Sequence, residues 1–216
     1  MSTADPSRGA RSSEFFFARA GERLSRAPFQ GMDVFIEASL NPDWPSQPPK
    51  EMVFRDAGIL VPIVERYPEA SVILTERTSH LPQHGGQIAF PGGKVDPADG
   101  GPEAAAMREA EEEIGLEPGL VAPIGFLDTY VTHTGFRLFP LVARVREPRQ
   151  LAPNPLEVAM VFEVPLSFLM DPRNHLLGSR IFQGRSRHFY EMSYDGHRIW
   201  GITASIIRML YEKIYF

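Results

Sequence analysis

The chain has 216 residues, 43% of them hydrophobic, a formal net charge of −5 and no cysteine. This length supports one substantial core rather than two large domains. The lack of cysteine excludes disulfide stapling and thiol chemistry and fits a reducing compartment. No apolar run approaches the roughly 18 residues of a membrane span, and the N-terminus lacks a secretory apolar stretch. Arg8, Arg11, Arg19, Arg23 and Arg26 suggest a transit peptide, but Asp5, Glu14 and Glu22 argue against one. The basic residues look scattered, with no basic aromatic patch of the kind that binds nucleic acid. The expectation is a cytoplasmic protein with neither a membrane nor a nucleic-acid partner.

In chain order, residues 1–12 are small and polar and read as a disordered tail. From Ser13 a short amphipathic helix is expected, with Phe16, Phe17 and Leu24 available to dock on the domain. Asn41 to Lys50 holds four prolines and reads as an extended connector. Trp44 within it is either an anchor onto the core or an aromatic lid near substrate. Tail, helix and connector thus occupy residues 1–50, and the domain proper 51–216.

Strand signals begin after Ala57. Ile59 to Arg66 and Ser71 to Arg77 are β-branched runs, and Gln87 to Phe90 leads directly into Pro91 and a glycine pair. Further strands are expected at Ile124 to Thr132 and Phe136 to Val145, joined by a His-Thr-Gly turn. Glu157 to Met170 reads as a strand entering a short helix. Residues 188–194 and 197–200 pair as a hairpin across Asp195-Gly196, and Ile202 to Ile214 closes the chain as a helix. This order describes a mixed α+β or α/β/α domain.

The segment between the third and fourth of these strands carries the chemistry. From Val95 to Leu120 eight carboxylates (Asp96, Asp99, Glu103, Glu109, Glu111, Glu112, Glu113, Glu117) face one base, Arg108, a local charge of −7. Pro102 suits a first helical turn and Gly115 the position past a helix end, which predicts a helix over Pro102 to Ile114. Ala106, Met107, Ala110 and Ile114 form its apolar arc, with Glu109, Glu112 and Glu113 on the opposite side. Like charges at helical spacing cost roughly 0.2 to 0.5 kcal/mol per pair, and no lysine interleaves them. Such a cluster of hard oxygen donors makes sense if Mg²⁺ or Mn²⁺ supplies the missing positive charge. The plainer alternative is a solvated acidic face.

The residues here resemble a known family. Arg108 to Leu116, REAEEEIGL, is similar to the REUxEExGU core of the Nudix box, where U is a bulky or aliphatic residue. Gly93, six positions before Asp99, resembles the opening half of the box. The sequence departs from that pattern in three ways. Asp99 replaces Glu, eight residues instead of seven separate it from Arg108, and small Ala110 fills the aliphatic slot. The extra residue falls in the Gly100-Gly101 turn, where a loop can absorb it.

The resemblance implies an α/β/α sandwich around a mixed sheet and Mg²⁺-dependent attack of water on a diphosphate linked to another moiety. It casts Glu109, Glu112 and Glu113 as catalytic metal ligands, with the Gly93 carbonyl as a further ligand. Arg108 is expected to orient one of these carboxylates or to pair with Asp99. The general base comes from the box or from a later loop, where Glu157 is the best candidate. Its other reading is a solvated residue at a strand start.

A second resemblance concerns substrate. Ile73 to Gly93, ILTERTSHLPQHGGQIAFPGG, is similar to the signature upstream of the box in the coenzyme A pyrophosphatase subfamily. Ile73, Leu74, Thr75, Arg77, Gly86, Phe90, Pro91, Gly92 and Gly93 fit in register. Thr78 stands where Ser is usual and Pro82 where a base is expected, with His80 and His84 nearby. Arg77 is suited to bidentate phosphate binding or to an ion pair within the domain. The turn from His84 to Gln87 lets backbone approach a ligand closely. Arg77, Gly86, Gln87 and Phe90 are the substrate-binding candidates. Residues 188–206 resemble the C-terminal part of the same subfamily. Tyr190, Tyr194 and Trp200 there can stack an adenine, although aromatics at such spacing are more often core.

The implied activity is Mg²⁺- or Mn²⁺-dependent hydrolysis of CoA or acyl-CoA to 3′,5′-ADP and 4′-phosphopantetheine or its acyl form. The implied partner is a small CoA-like nucleotide, and a homodimer is compatible with it. The alternatives are a Nudix hydrolase of ADP-ribose or a dinucleotide, and a non-catalytic nucleotide-binding sensor, which intact ligand glutamates disfavour.

Overall fold

The main sheet is built on β1 (Arg55–Val64), whose residues are almost all apolar because both of its faces are covered. The computed structural model describes residues 13–29, 39–42, 51–146, 148, 150–182 and 184–216. The expected tail at 1–12 and Trp44 in the connector lie outside the described residues.

β1 runs parallel to β7 (Phe136–Val145) in unbroken register from Arg55↔Phe136 to Val64↔Val145. Every other pairing in the sheet is antiparallel. β5 (Val121–Phe126) and β6 (Tyr130–Val131) pair with β7. The other edge of β1 is shared by β4 (Gly92–Lys94) and β2 (Ser71–Arg77), and β2 also pairs with β3 (Ile88–Ala89) and β8 (Val158–Pro165).

Strand alternation divides the core in two. Leu60, Val64, Ile73, Phe139 and Leu141 pack on one face against α2 (Pro102–Ile114) through Ala106, Ala110 and Ile114. Val61, Ile63, Leu74 and Val142 pack on the opposite face against α1 (Ser13–Arg23) and the terminal helix α4 (Ile202–Tyr215), which contribute Phe16, Ile206 and Leu210. A short α3 (Leu166–Leu169) follows β8. The result is the α/β/α sandwich around a mixed sheet that was expected. Among the described residues no helix is long and apolar enough to cross a membrane.

The bounds of α2 coincide with the expected ones, for the expected reasons. Pro102 opens it, and Gly115 closes it in the left-handed region at φ 66°, its N–H returning to Ala110 and Glu111 carbonyls. The small residues of its buried face let it lie close on β1. A methyl group at Gly58 would fall 2.1 Å from the Pro102 carbonyl oxygen.

Two regions differ from expectation. The strand expected over Ile124 to Thr132 is two pieces, because the chain leaving α1 bridges Ser25 to Phe126 through two backbone hydrogen bonds of 3.1 and 2.8 Å. Gly125 admits that approach, since a Cβ there would meet the Leu24 Cβ at 2.8 Å. Second, the expected 188–194 and 197–200 hairpin forms across Asp195-Gly196, with Tyr194 opposite His197, but it stands in a separate three-stranded sheet of β9 (Leu176–Phe182), β10 (Arg185–Tyr194) and β11 (His197–Trp200). β9 escapes a sequence reading because nearly all of it is exposed, so it lacks the in-out alternation that marks a half-buried strand.

Candidate active site

β4 is held antiparallel on β1 with Gly93 opposite Gly58, beneath the acidic side of α2. The missing side chain at Gly93 is essential there, since a Cβ would lie 2.3 Å from the Glu109 carboxyl carbon. One turn further on, Glu113 enters the interior, only 4% of its side chain exposed. It accepts the Gly92 N–H at 3.1 Å on Oε2 and an Arg77 Nη1 hydrogen bond at 3.4 Å on Oε1. Burial pushes the Glu113 carboxyl up to about 7 despite these two donors. Burial also raises Glu109, and Arg108 offsets this only in part.

Arg108 joins the two halves of the segment. Its Nε and Nη2 clasp the Asp99 carboxylate at 3.0 Å each, Nη2 reaches the Lys94 carbonyl at 3.1 Å, and Nη1 donates to Glu109 at 3.0 Å and Glu112 at 2.9 Å. These bonds hold Asp99 below the ordinary carboxylate range and raise Arg108. Arg108 therefore does both of the things expected of it, and the inserted residue leaves Asp99 within its reach.

Glu157 comes to the same place from the loop before β8, on the α2 side of the sheet, where its neighbour Val158 packs with Ala106 and Ala110. Its N–H bonds the Asn154 carbonyl at 3.0 Å and its carbonyl accepts the Thr78 N–H at 2.9 Å, while the Asn154 N–H bonds the Glu113 carbonyl at 2.8 Å. Its negative charge acts on both Glu109 and Glu113. The structure thus gathers Glu109, Glu113, Glu157 and Gly93, whereas Glu112 stands at the margin with 56% of its side chain exposed. Glu111 is exposed, as expected.

Among the described residues no three acidic or histidine side chains already converge on one coordination sphere. Arginines and backbone N–H groups hold the carboxylates instead. The donor set nonetheless suits a hard divalent cation. Carboxylates raised first by burial and then by neighbouring carboxylates, as Glu109 and Glu113 are, are relieved by such an ion. Glu109, Glu113, Glu112 and the Gly93 carbonyl would hold it.

A cavity of ≈ 520 Å³ opens beside this cluster, with Arg77, Gln87, Phe90 and Gly92 in its wall. Gly86 lies in the turn outside that wall, at φ 71°, its N–H closing the turn onto the Arg77 carbonyl at 3.0 Å. Gln87 is oriented by a 2.9 Å hydrogen bond between its Oε1 and His84 Nδ1.

The three aromatics considered for base stacking separate. Tyr194 packs against Phe168 at 4.9 Å and Tyr190 packs against the core beneath Arg208, but Trp200 faces the cavity beside Phe189 at 5.4 Å. Sequence reasoning missed the rest of that wall, which includes the Thr132 to Thr134 turn, Arg180, Phe182, Arg187 and Phe189. This corrects the expectation of scattered bases without an aromatic patch, because the second sheet gathers them on one face. The available signal was the alternation of Arg180, Phe182, Arg185, Arg187 and Phe189 within one hairpin.

The NUDIX domain family matches residues 55–176, more than half of the chain. The chain belongs to the Nudix family. The Nudix hydrolase NudL of Escherichia coli strain K12, itself uncharacterized, is 38% identical over 160 residues, which cover 74% of this chain and 83% of NudL. Among solved structures, the Nudix hydrolase RenU of M. smegmatis is 26% identical with a TM-score of 0.45, covering 54% of this chain and 71% of RenU. A MutT/nudix family protein from Enterococcus faecalis is 15% identical with a TM-score of 0.48, covering 77% and 64%. As a Nudix hydrolase, the protein acts on nucleoside diphosphate derivatives, and this family generally uses divalent ions such as Mg²⁺ or Mn²⁺. The Nudix match ends at residue 176, the first of β9, so all but that residue of the second sheet lies beyond it.

Proposed function

We propose that this Nudix hydrolase cleaves the diphosphate of CoA or acyl-CoA, releasing 3′,5′-ADP and 4′-phosphopantetheine or its acyl form. The observation that carries this reading is where the segment resembling the CoA pyrophosphatase signature lies. Ile73 to Gly93 is the segment that closes the site. From it Arg77 and the Gly92 N–H bind Glu113, and Gln87 and Phe90 line the adjoining cavity.

Glu109, Glu112, Glu113 and the Gly93 carbonyl are the proposed metal-binding groups. Bound Mg²⁺ or Mn²⁺ neutralises charge developing on the phosphates and lowers the pKa of water. Arg77, at the end of β2 with 26% of its side chain exposed, is placed to share its guanidinium between Glu113 and a phosphate oxygen. Glu157, whose charge acts on both Glu109 and Glu113, is the proposed acceptor of the proton of the attacking water. The location away from membranes and the possession of a small nucleotide-like partner follow the same reading.

The test is incubation of the purified protein with Mg²⁺ or Mn²⁺ and CoA, acetyl-CoA, ADP-ribose, NADH and dNTPs, with identification of the products. CoA cleaved to the two named products supports the proposal. Turnover of ADP-ribose without CoA overturns the substrate, and ligand binding without any turnover favours a sensor. Glu113→Gln is expected to lose most activity while remaining folded.

A further inference from the structure

We propose that the cavity-facing side of the second sheet, centred on Arg180, Arg187 and Trp200, is a subsite for a purine nucleotide end that carries a phosphate monoester on its ribose. The proposal rests on the CoA reading for the identity of the whole substrate, since CoA carries such a 3′-phosphate. The subsite itself is argued from the sheet.

β9 and β10 pair with Arg180 directly opposite Arg187, so the two guanidinium-bearing side chains leave the same face side by side. On the same face, Phe189 lies opposite Gly178 and Glu191 opposite Trp200. Gly178 leaves room for the Phe189 ring, which a Cβ would approach to 2.7 Å. The Arg180 guanidinium carbon sits 5.3 Å from the Trp200 ring centre and 5.7 Å from that of Phe182, and Arg187 lies 5.7 Å from the Phe182 ring. The carboxylate of Glu191, on this face, is engaged by Arg198 at 2.5 Å.

Like charges placed opposite one another disfavour a sheet, and a doubly charged anion between them reverses that effect. A guanidinium within about 6 Å of an aromatic ring is attracted to it, and its planar fork of N–H donors matches the bidentate geometry that phosphate oxygens accept. The half-buried Trp200 ring beside them, in the cavity wall, offers a base a stacking surface.

A CoA-like substrate has two ends to place on either side of its diphosphate. The pantetheine arm has neither charge nor π surface, and the nucleotide end has both. The base-and-aromatic face therefore takes the nucleotide end. It lies in the same cavity as Arg77 and Gly92, yet beyond the Nudix match at 55–176, so it acts on choice of substrate rather than on the common chemistry.

Binding and turnover test this separately. Calorimetry with adenosine 3′,5′-bisphosphate and with 5′-AMP reads the subsite without requiring hydrolysis. The wild-type protein is expected to bind the bisphosphate at least about tenfold more tightly, and Arg180→Gln with Arg187→Gln to remove that difference while circular dichroism stays unchanged. Trp200→Leu is expected to weaken both ligands together. Equal affinity of the wild type for the two ligands overturns the subsite, as does a bisphosphate preference that survives the double substitution. In turnover, the kcat/KM ratio of CoA to 3′-dephospho-CoA is expected to fall at least about tenfold in the double variant, and an unchanged ratio counts against the proposal. A protein that fails to cleave CoA but still prefers the bisphosphate in an Arg180- and Arg187-dependent manner would sink the CoA reading and leave the subsite standing.

Discussion

Arg108 and Asp99 face each other fork to fork, Nε to Oδ1 and Nη2 to Oδ2, both at 3.0 Å. This pair ties the loop after β4 to α2, and the same arginine steadies Glu109 and Glu112. Lysine retains the charge but cannot make parallel hydrogen bonds. Arg108→Lys is expected to raise the Mg²⁺ or Mn²⁺ concentration for half-maximal activity roughly 10- to 100-fold, the range seen when supports of metal ligands are lost. A metal titration of activity checks this, and an unaltered midpoint removes Arg108 from the role of orienting the glutamates.

Two glycines separate a functional close approach from a structural one. At Gly93 an added methyl meets the mobile end of Glu109, at 2.3 to 2.5 Å, whereas at Gly58 it meets the helix backbone at Pro102 and Ala106, at 2.1 and 2.7 Å. Gly93→Ala is expected to keep its melting temperature within a few degrees and lose activity by roughly 100-fold. Gly58→Ala is expected to lose on the order of 1 to 3 kcal/mol of stability or more, because the helix must shift off β1. Thermal melts and activity assays on both variants decide the matter, and equal stability losses would remove the distinction.

The pH dependence of the metal-free protein follows from Glu113. Burial pushes its carboxyl up to about 7 in the folded state, from the 4.5 of an ordinary glutamate in the unfolded chain, so the folded state binds the extra proton between these values. Stability from this group is therefore complete below about pH 4.5 and is lost as pH rises through 7, by on the order of 3 kcal/mol. Melting temperatures measured in chelator are expected to fall over that interval. Saturating Mg²⁺ or Mn²⁺ is expected to flatten the profile, because metal favours the ionised carboxylate. A Glu113→Gln protein that keeps the full pH dependence would refute the assignment.

Glu157 is expected to act on rate rather than on binding. Glu157→Gln preserves its volume and the backbone hydrogen bonds to Thr78 and Asn154. The expected result is a fall in kcat of roughly 10²- to 10⁴-fold with KM and melting temperature nearly constant. A variant with undiminished kcat places the general base within the box.

Much of this site is visible along the chain because the interactions that form it are local. The bounds of α2 depend on Pro102 and Gly115 at its two ends, and the acidic face depends on spacing alone. Spacing cannot rank Glu109, Glu112 and Glu113. Their burial is set by where β4 lies against α2, a contact between segments that pair through β1 rather than through each other.

The second sheet shows the other limit. β9 is exposed along nearly its whole length, so nothing in its hydrophobic pattern marks it as a strand. Arg180 and Arg187 look like unrelated bases until β9–β10 pairing sets them opposite each other. By itself the sequence determined the helix and its carboxylates, since period and caps act within one segment, and its resemblance to the Nudix box implied the class of reaction. Tertiary structure alone decided which carboxylates are buried, that Glu157 joins them, and which arginines and aromatics form the cavity wall, because those properties arise from strand register and solvent exclusion between distant segments.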